Sequence, residues 1–290
     1  MIAISGYRVG ETIYESGNTL VYRGIREMDN QPVVLKVLKE AYAQPETIAW
    51  FKREYEITRA LNLPGVVTVY GLETHQERWV MVLEDFGGES LVRLGKVGAL
   101  SLVEFLTLGI QVADIMGQVH QQNIVHKDIK PSHILLNPTT GQVKITDFGG
   151  STVLTQESLT IPTQNAFGGT LAYMSPEQTG RMHRAVDYRT DFYSLGVTFY
   201  QLLVGQLPFP STDPMELVHC HIAKQPQPPH KLRHDMPRVV SDLLMKLLAK
   251  NADDRYQSAY GLKADLEQCL RQLEATGHLA AFPLGRQDVP

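Results

Sequence analysis

The stretch Ile124-Val-His-Lys-Asp-Ile-Lys-Pro-Ser-His-Ile-Leu-Leu136, followed by Val143-Lys-Ile-Thr-Asp-Phe-Gly149, decides the fold of this chain. It places two carboxylates, Asp128 and Asp147, 19 residues apart on either side of a predicted hairpin. Phosphoryl transfer needs one carboxylate to orient the attacking hydroxyl and accept its proton, and a second to hold a divalent metal against the phosphate oxygens. The spacing and type of these residues therefore predict phosphoryl-transfer chemistry.

The residues before these stretches have the pattern of a small sheet. The sequence has the pattern of strands from about Gly10 to Leu38: Thr19–Arg26 alternates polar and apolar residues, and Pro32–Leu38 follows it after a turn. A helix with apolar positions at helical spacing is predicted around 51–61. Two further strands are predicted at Val66–Leu72 and Trp79–Leu83. The N-terminal part is therefore predicted to contain about five strands and one helix.

Helices dominate the chain beyond residue 86. Ser101-Leu-Val-Glu104 is a capping box, in which each side chain satisfies an amide of the first helical turn. The apolar positions that follow keep the 3.6-residue period as far as His120. Asp191–Val204 is apolar nearly all round and is predicted as a central buried helix. Val239–Lys250 and Ser258–Glu274 are predicted as amphipathic helices.

Composition and charge exclude several classes of protein. The chain has 290 residues, of which 43% are hydrophobic, and its formal charge is −4, from 27 Lys and Arg against 31 Asp and Glu. This balance argues against general nucleic-acid binding. Cys220 and Cys269 lack metal-site or disulfide spacing, and no window approaches 18 unbroken apolar residues. We therefore expect a cytoplasmic protein without direct membrane insertion.

The two opening stretches resemble the H-R-D-L-x-x-x-N and D-F-G signatures of the eukaryotic-like serine/threonine protein kinases. The resemblance runs from about Tyr7 to Glu274 and implies an α+β, bilobal, protein-kinase-like fold. Residues 1–86 would form a small N-lobe with a five-stranded antiparallel sheet and one main helix. Residues 87–275 would form a larger, mostly α-helical C-lobe, with 276–290 as a C-terminal tail or linker to a following domain. The implied activity is transfer of the γ-phosphoryl group of MgATP or MnATP, bound between the lobes, to Ser or Thr hydroxyls of a protein.

The resemblance implies catalytic roles for named residues. Asp128 would orient the acceptor hydroxyl, Lys130 would steady the γ-phosphate, and Thr170 would hydrogen-bond the catalytic aspartate. Lys36 would hold the α- and β-phosphates, kept in place by an ion pair with Glu54, which lies 18 residues further along the chain.

The same resemblance implies a metal ligand, a nucleotide-binding surface and a set of supporting residues. Asp147 would hold the metal. Six further ATP-binding positions are implied: Val21, Val34, Leu83 as gatekeeper, Glu84, Phe86 and Leu135, with the backbone of residues 84–86 facing the adenine edge. Four residues would have structural roles: His126, Glu177, Asp191 and Arg255, the last placed to pair with Glu177.

The sequence departs from the kinase pattern in two features, the glycine-rich loop and the residue at 133. When the glycine-rich loop is aligned on Val21, Tyr14, Ser16 and Thr19 stand where the three glycines belong. Glycine lets a backbone approach phosphates without a Cβ collision, so we expect weaker phosphate positioning here. His133 replaces the asparagine that holds a second metal in the family.

His133 leaves two interpretations open. Mg²⁺ prefers oxygen ligands, so an imidazole at this position favours a single metal or Mn²⁺. Alternatively, His133 only hydrogen-bonds Asp128 or the backbone and binds no metal.

The residues leave open three functional classes. Retention of the lysines and carboxylates above favours an active kinase in a signalling cascade, with autophosphorylation. A pseudokinase that binds nucleotide and regulates a neighbouring domain is the alternative. A small-molecule phosphotransferase is disfavoured by Gly169-Thr-Leu-Ala-Tyr-Met-Ser-Pro-Glu177, which resembles the kinase segment ending in A-P-E.

The catalytic-loop sequence His126-Lys-Asp128, together with Leu63-Pro-Gly-Val-Val67, resembles the corresponding sequences in the N-terminal kinase module of large bacterial hybrid sensor kinases. That resemblance leaves two substrates open: downstream domains of the same polypeptide, or a separate partner protein.

Overall fold

The computed structural model describes residues 3–41, 43–154, 171–181 and 185–289. The chain forms two compact units. The first consists of Met1–Gly88 and Asn137–Gly149, and the second of Glu89–Leu136 and Gly150–Pro290. The division predicted after residue 86 lies two residues before the first break.

A five-stranded antiparallel sheet forms the first unit. Its strands are β1 (Tyr7–Glu15), β2 (Thr19–Arg26), β3 (Gln31–Leu38), β4 (Val69–His75) and β5 (Arg78–Glu84), in the sheet order β1-β2-β3-β5-β4. Successive side chains of a strand point to opposite faces. One face therefore carries the core residues, which are Val33, Leu35, Val37, Val80 and Val82.

The helix of the first unit, α1, spans Pro45–Leu61. Pro45 occupies its first turn, where a missing N–H costs nothing, and Asn62 ends it in a left-handed conformation with φ 40°. The buried face includes Phe51, Ile57 and Glu54. A glutamate on a buried face requires a partner, and its partner belongs to the site described below.

The segment Asn137–Gly149 belongs to the first unit, although the sequence-based division placed it in the second lobe. Its strand β9, Val143–Ile145, forms a parallel bridge between Ile145 and Val66. The Ile145 N–H donates to the Gly65 carbonyl at 2.8 Å. This bridge also explains why β4 begins at Val69 and not at the predicted Val66. Both differences arise from a long-range backbone pairing that local patterns do not report.

Helices form most of the second unit. They are α2 (Leu102–Gln121), α3 (Arg189–Val204), α4 (Pro214–Ala223), α5 (Arg238–Leu247) and α6 (Ala259–Thr276). The predicted capping box starts α2. Helix α4 was not predicted, although Asp213 caps it by accepting the Glu216 N–H at 2.7 Å and Pro214 opens it. The predicted five-stranded sheet with one main helix and the predicted larger, mostly helical part are both confirmed.

Helix α2 is the one helix in the described ranges that is long and apolar enough to cross a membrane, by length and composition alone. A buried core helix passes the same test. Phe105, Leu106, Val112, Ala113 and Met116 of α2 are fully buried in the second unit. Packing within the unit therefore accounts for its apolar composition.

Short strand pairs hold both ends of the loop between residues 126 and 133. Strand β7 (Ile124–Val125) precedes the loop and pairs with β10 (Thr152–Val153). Strand β8 (Ile134–Leu136) follows it and pairs with β6 (Glu89–Ser90). The loop that carries Asp128 is therefore anchored on each side by backbone hydrogen bonds.

The predicted tail or linker, 276–290, belongs to the second unit, and its residues Gly285 and Asp288 bond to residues just before α6 and within it. Asp288 accepts the backbone N–H groups of Gln257 and Ser258 at 2.7 and 2.8 Å. Gly285 donates its N–H to Asp265 at 2.7 Å. These contacts attach residues 285–288 to the helical unit.

Candidate active site

A buried lysine and two carboxylates lie together in the first unit. Lys36 of β3 places its Nζ 2.6 Å from Glu54 Oε1 of α1 and 3.5 Å from Asp147 Oδ1. Only 12% of the Lys36 side chain and 9% of the Glu54 side chain are exposed. The predicted Lys36–Glu54 ion pair is therefore confirmed, and Asp147 joins it.

Electrostatics keeps the lysine of this cluster charged. Burial by itself lowers the pKa of Lys36, but the carboxylates of Asp147 and Glu54 outweigh it and raise the pKa above its usual value. Burial raises the pKa of the Glu54 carboxyl, and Lys36 offsets that effect in part. The cluster therefore presents a permanent cation beside a carboxylate, Asp147, whose side chain is 32% exposed.

The face of the sheet opposite the core carries the predicted nucleotide-binding residues of the strands. Val21 pairs with Lys36 and Val34 pairs with Leu83 in the antiparallel ladders. Directly paired residues of antiparallel strands point to the same face. Val21, Val34, Leu83 and Lys36 therefore form one surface.

The segment that replaces the glycine-rich loop closes on itself. Ser16 donates its backbone N–H to the Thr19 carbonyl at 2.9 Å, and their hydroxyl oxygens lie 2.8 Å apart. A Cβ at Gly17 would meet no atom within 4 Å, so that glycine is not required for space. Tyr14 is 47% exposed. The structure describes a hydroxyl-bonded hairpin at this position.

Asp128, in the loop of the second unit, has one oxygen engaged and one that finds no partner among the residues that the structure describes. Lys130 Nζ donates to Asp128 Oδ2 at 2.8 Å. Asp128 Oδ1 is buried and has no hydrogen-bond partner in the described part of the chain. A buried carboxylate oxygen without a donor is costly and is typical of functional sites.

His133 uses one ring nitrogen within the same loop. Its Nδ1 donates to the Asp128 carbonyl at 2.8 Å and lies 3.5 Å from Asp128 Oδ2. Because the carbonyl only accepts, Nδ1 carries the proton and is not available as a metal ligand. The contact agrees with the interpretation in which His133 hydrogen-bonds Asp128.

The backbone of this loop is held from α3. Asp191 accepts the N–H groups of His126 and Lys127 at 2.9 and 2.7 Å. His126 is fully buried, and its Nδ1 accepts the Asp128 N–H at 3.3 Å. His120 of α2 also bonds Asp191, at 2.9 Å. His120 was not predicted, since a polar residue in the last turn of a helix carries no distinguishing signal.

One candidate residue in each unit has a strained backbone. Lys127 and Asp147 each have φ of 67°, which costs of order 1–3 kcal/mol at non-glycine residues and concentrates at functional sites. Asp191 and Gln178 hold the Lys127 backbone, the latter by donating to its carbonyl at 3.0 Å. These bonds enforce the conformation of the residue before Asp128.

Glu177 and Arg255 form a buried, two-pronged ion pair in the second unit, as predicted. The Nη1–Oε1 and Nη2–Oε2 distances are 2.7 and 2.9 Å. Thr190 also donates to Glu177, at 2.8 Å. Burial raises the pKa of Glu177, but Arg255 reverses the effect and lowers it overall. The pair fixes the end of the Ser175-Pro-Glu177 segment.

Two predicted residues remain to be placed. Leu135 lies half-buried on β8 of the second unit. Thr170 lies outside the described residues.

The donor set of the site can be compared with what a divalent metal needs. In the described ranges no group of three or more His, Cys, Asp and Glu residues could hold a metal ion. Asp147 offers carboxylate oxygens, the ligand type that Mg²⁺ and Mn²⁺ prefer. In kinases the nucleotide phosphates complete the metal shell, so a single protein carboxylate fits a metal bound with nucleotide.

Comparison with known proteins agrees with this geometry. The sequence model described as "Protein kinase domain" matches residues 7–267. A probable serine/threonine-protein kinase of Clostridium perfringens is 33% identical over 93% of this chain and 39% of its own length. Serine/threonine-protein kinase PknB of Mycolicibacterium smegmatis is 31% identical over 96% of this chain and 48% of its own length. PrkC of Bacillus subtilis is 30% identical over 91% and 40%.

The chain therefore spans less than half the length of these curated relatives. The family match nevertheless covers most of the chain, including both motif stretches and the residues that support them. This chain belongs to the protein kinase domain family.

Proposed function

We propose that this chain is an ATP-dependent serine/threonine protein kinase, which transfers the γ-phosphoryl group of a metal–ATP complex to a protein hydroxyl. The observation that carries the proposal is the state of Asp128. One oxygen is held by Lys130, while the other is buried without a donor in the described part of the chain. The hydroxyl of an acceptor serine or threonine would donate to this oxygen.

The residues of the first unit bind the nucleotide. Lys36 remains a cation, because Asp147 and Glu54 outweigh the effect of burial on its pKa, and it donates to phosphate oxygens. Glu54 keeps the ammonium in place through the 2.6 Å contact. The surface formed by Val21, Val34 and Leu83 takes the apolar faces of the adenine ring, as the resemblance to the protein kinases implies.

Asp147 is the residue that would hold the metal, Mg²⁺ or Mn²⁺. When bound, the metal neutralises charge on the phosphate oxygens. Asp147 has oxygen ligands and is partly exposed. His133 supports the loop, because its Nδ1 donates to the Asp128 carbonyl.

In the second unit, Asp128 orients the acceptor hydroxyl and accepts its proton, and Lys130 stabilises the charge on the phosphoryl group. A lysine two residues after the catalytic aspartate, as Lys130 is here, is typical of serine/threonine kinases. The curated relatives are named serine/threonine-protein kinases. Thr170 would contribute a hydrogen bond to Asp128.

The substrate is a protein with a Ser or Thr acceptor. The resemblance to kinase modules of hybrid sensor kinases supports downstream domains of the same polypeptide as one substrate, with signalling by autophosphorylation in the cytoplasm. A truncated and a full-length protein, incubated together with ATP, would separate phosphorylation within one chain from phosphorylation of a second protein.

Labelled ATP tests the activity directly. The purified protein is incubated with a generic protein substrate and either Mg²⁺ or Mn²⁺, beside Asp128→Ala and the matched control Asp242→Ala, whose aspartate side chain is 50% exposed on α5. We expect incorporation by wild type and by the control, and none by Asp128→Ala. ATP binding without any incorporation by wild type would contradict the proposal and support a pseudokinase.

A further inference from the structure

Lys144 is a buried lysine for which the proposed reaction has no role. It lies on β9 and is 6% exposed, between Val143 and Ile145, which are 3% and 0% exposed. Burying an ammonium group is costly unless it is paired. Its partner is the Glu84 carboxylate, whose side chain is 16% exposed.

Glu84 is the last residue of β5 and begins the backbone segment that faces adenine. Its Oε1 accepts from Lys144 Nζ and from the Thr68 N–H, the latter at 2.9 Å. Its own N–H donates to the Thr68 carbonyl at 2.9 Å. The residue is therefore held through both its side chain and its backbone.

The segment that carries Lys144 also holds Phe86. Asn137 Nδ2 donates to the Phe86 carbonyl at 2.6 Å. Asn137 is fixed in turn, because its Oδ1 accepts the N–H groups of Thr139 and Thr140 at 2.9 and 3.1 Å. Lys144 Nζ lies 5.4 Å from the centre of the Phe86 ring, within cation–π range. The two ends of the segment 84–86 are thus both attached to residues 137–144.

This attachment leaves a hydrogen-bond donor for a ligand. Within the described ranges, the Phe86 N–H has no hydrogen-bond partner. Adenine binding needs a backbone donor of this kind at a fixed position, since polar groups of a nucleotide pocket act by orientation. A donor that is already in place costs less ordering on binding.

We infer that Lys144 is a positioning residue for adenine recognition, which holds the Glu84 carboxylate and thereby fixes the backbone of residues 84–86 for the nucleotide. The inference rests on the proposed ATP-dependent activity. Lys144 itself does not touch the nucleotide. Its effect therefore falls on ATP affinity and not on the chemical step.

The test compares Lys144→Met, Lys144→Arg and Glu84→Gln with wild type, and uses Lys263→Met as a control. Lys263 forms a similar lysine–carboxylate pair, 2.7 Å from Asp114, but its side chain is 29% exposed in the second unit. The measurements are KM for ATP, kcat and the melting temperature. Lys144→Met leaves Glu84 without its counter-ion, so we expect about a tenfold higher KM for ATP, with kcat within about twofold of wild type.

Two variants separate positioning from stability. Lys144→Arg keeps a cation that can pair with Glu84, and we expect it to restore most of the ATP affinity. Glu84→Gln keeps the side-chain volume and removes the charge, and we expect it to raise KM for ATP as Lys144→Met does. A variant that combines Lys144→Met with Glu84→Gln should bind ATP no more weakly than either single variant, since each substitution removes the same contact. Lys263→Met should leave KM for ATP unchanged.

The inference is overturned if Lys144→Met and Glu84→Gln keep the wild-type KM for ATP, or if kcat and melting temperature fall while that KM is unchanged. If Lys144→Met does not fold, KM for ATP, kcat and the melting temperature of Glu84→Gln and Lys144→Arg test the inference in its place. Wild type without any transfer would contradict the proposed function instead. Equilibrium binding of a fluorescent ATP analogue to wild type and Glu84→Gln would then test Lys144 independently: equal affinities overturn the inference, and weaker binding by the variant supports it.

Discussion

Glu177→Gln removes one charge from the buried pair with Arg255 and keeps the shape of the side chain. Arg255 is 1% exposed and Glu177 5% exposed, so the guanidinium would remain buried without its counter-ion. Breaking a buried ion pair from one side costs about 3–5 kcal/mol, far more than the net contribution of the intact pair. The variant is therefore a sensitive test of how the second unit is held together.

The loss of stability in Glu177→Gln depends on the hydrogen bonds that Arg255 keeps. Three backbone carbonyls still accept from its guanidinium, those of Ala249, Arg189 and Lys250, at 2.8, 2.9 and 3.2 Å. These bonds satisfy most of its N–H groups, which places the loss near the lower end, about 3 kcal/mol. At about 2–4 °C per kcal/mol for a domain of this size, the melting temperature should fall by roughly 6–12 °C.

The assay is thermal and urea unfolding of wild type, Glu177→Gln and Asp242→Asn at pH 7. Asp242 faces Arg238 at 3.7 Å with side chains 50% and 75% exposed, and such exposed pairs contribute at most about 1 kcal/mol. We expect the control to melt within about 4 °C of wild type. If Glu177→Gln melts as the control does, the buried pair does not stabilise the unit and the reasoning is wrong.

Three further predictions concern the metal, pH and the backbone of the adenine site. An asparagine in place of His133 would offer an amide oxygen, so His133→Asn should raise Mg²⁺-supported turnover relative to Mn²⁺-supported turnover in the labelled-ATP assay. If the variant has the same turnover as wild type with each metal, His133 has no role in metal use. Burial, with help from the Lys250 cation, lowers the pKa of His221 from 6.5 to about 4. Between pH 6.5 and 4, His221 therefore binds a proton in the unfolded chain but stays neutral in the folded protein. The free energy of unfolding should fall as the pH drops from 6.5 towards 4, by at most roughly 3 kcal/mol. Urea unfolding at several pH values should show a smaller fall in His221→Asn, and an unchanged slope would contradict this assignment. A Cβ at Gly88 would lie 2.1 Å from the Phe86 ring, so Gly88→Ala should displace the ring, lower stability by about 1–3 kcal/mol and raise KM for ATP. Unchanged thermal unfolding and unchanged KM would show that the ring moves without cost.

Some parts of the site could be predicted because they depend on local order along the chain. The Lys36–Glu54 pair was implied by the resemblance of the surrounding motifs to the protein kinases, and the structure has Lys36 on β3 and Glu54 on α1. The capping box at Ser101 and the apolar run of α3 are visible to local patterns. Asp128 and Asp147 were found from the residues that flank them.

Other parts depend on contacts between residues far apart in the chain. The spacing of His133 left two interpretations open, since it does not orient an imidazole, whereas the structure shows its Nδ1 donating to the Asp128 carbonyl. His120 gave no signal, because only packing places it against Asp191, 71 residues away. The assignment of 137–149 to the first unit likewise depends on the bridge between Ile145 and Val66.

The order of the motifs and the chemistry of their side chains are properties of the chain, and through their resemblance to the protein kinases they were sufficient to predict the fold class and the proposed reaction. The tertiary structure decided which atoms are engaged and which are not. It left Asp128 Oδ1 without a donor among the described residues, and it joined Lys144 to Glu84. The physical reason is that a hydrogen bond or ion pair forms only when the distance between its two atoms is right to within a few tenths of an ångström. Packing between distant segments sets that distance.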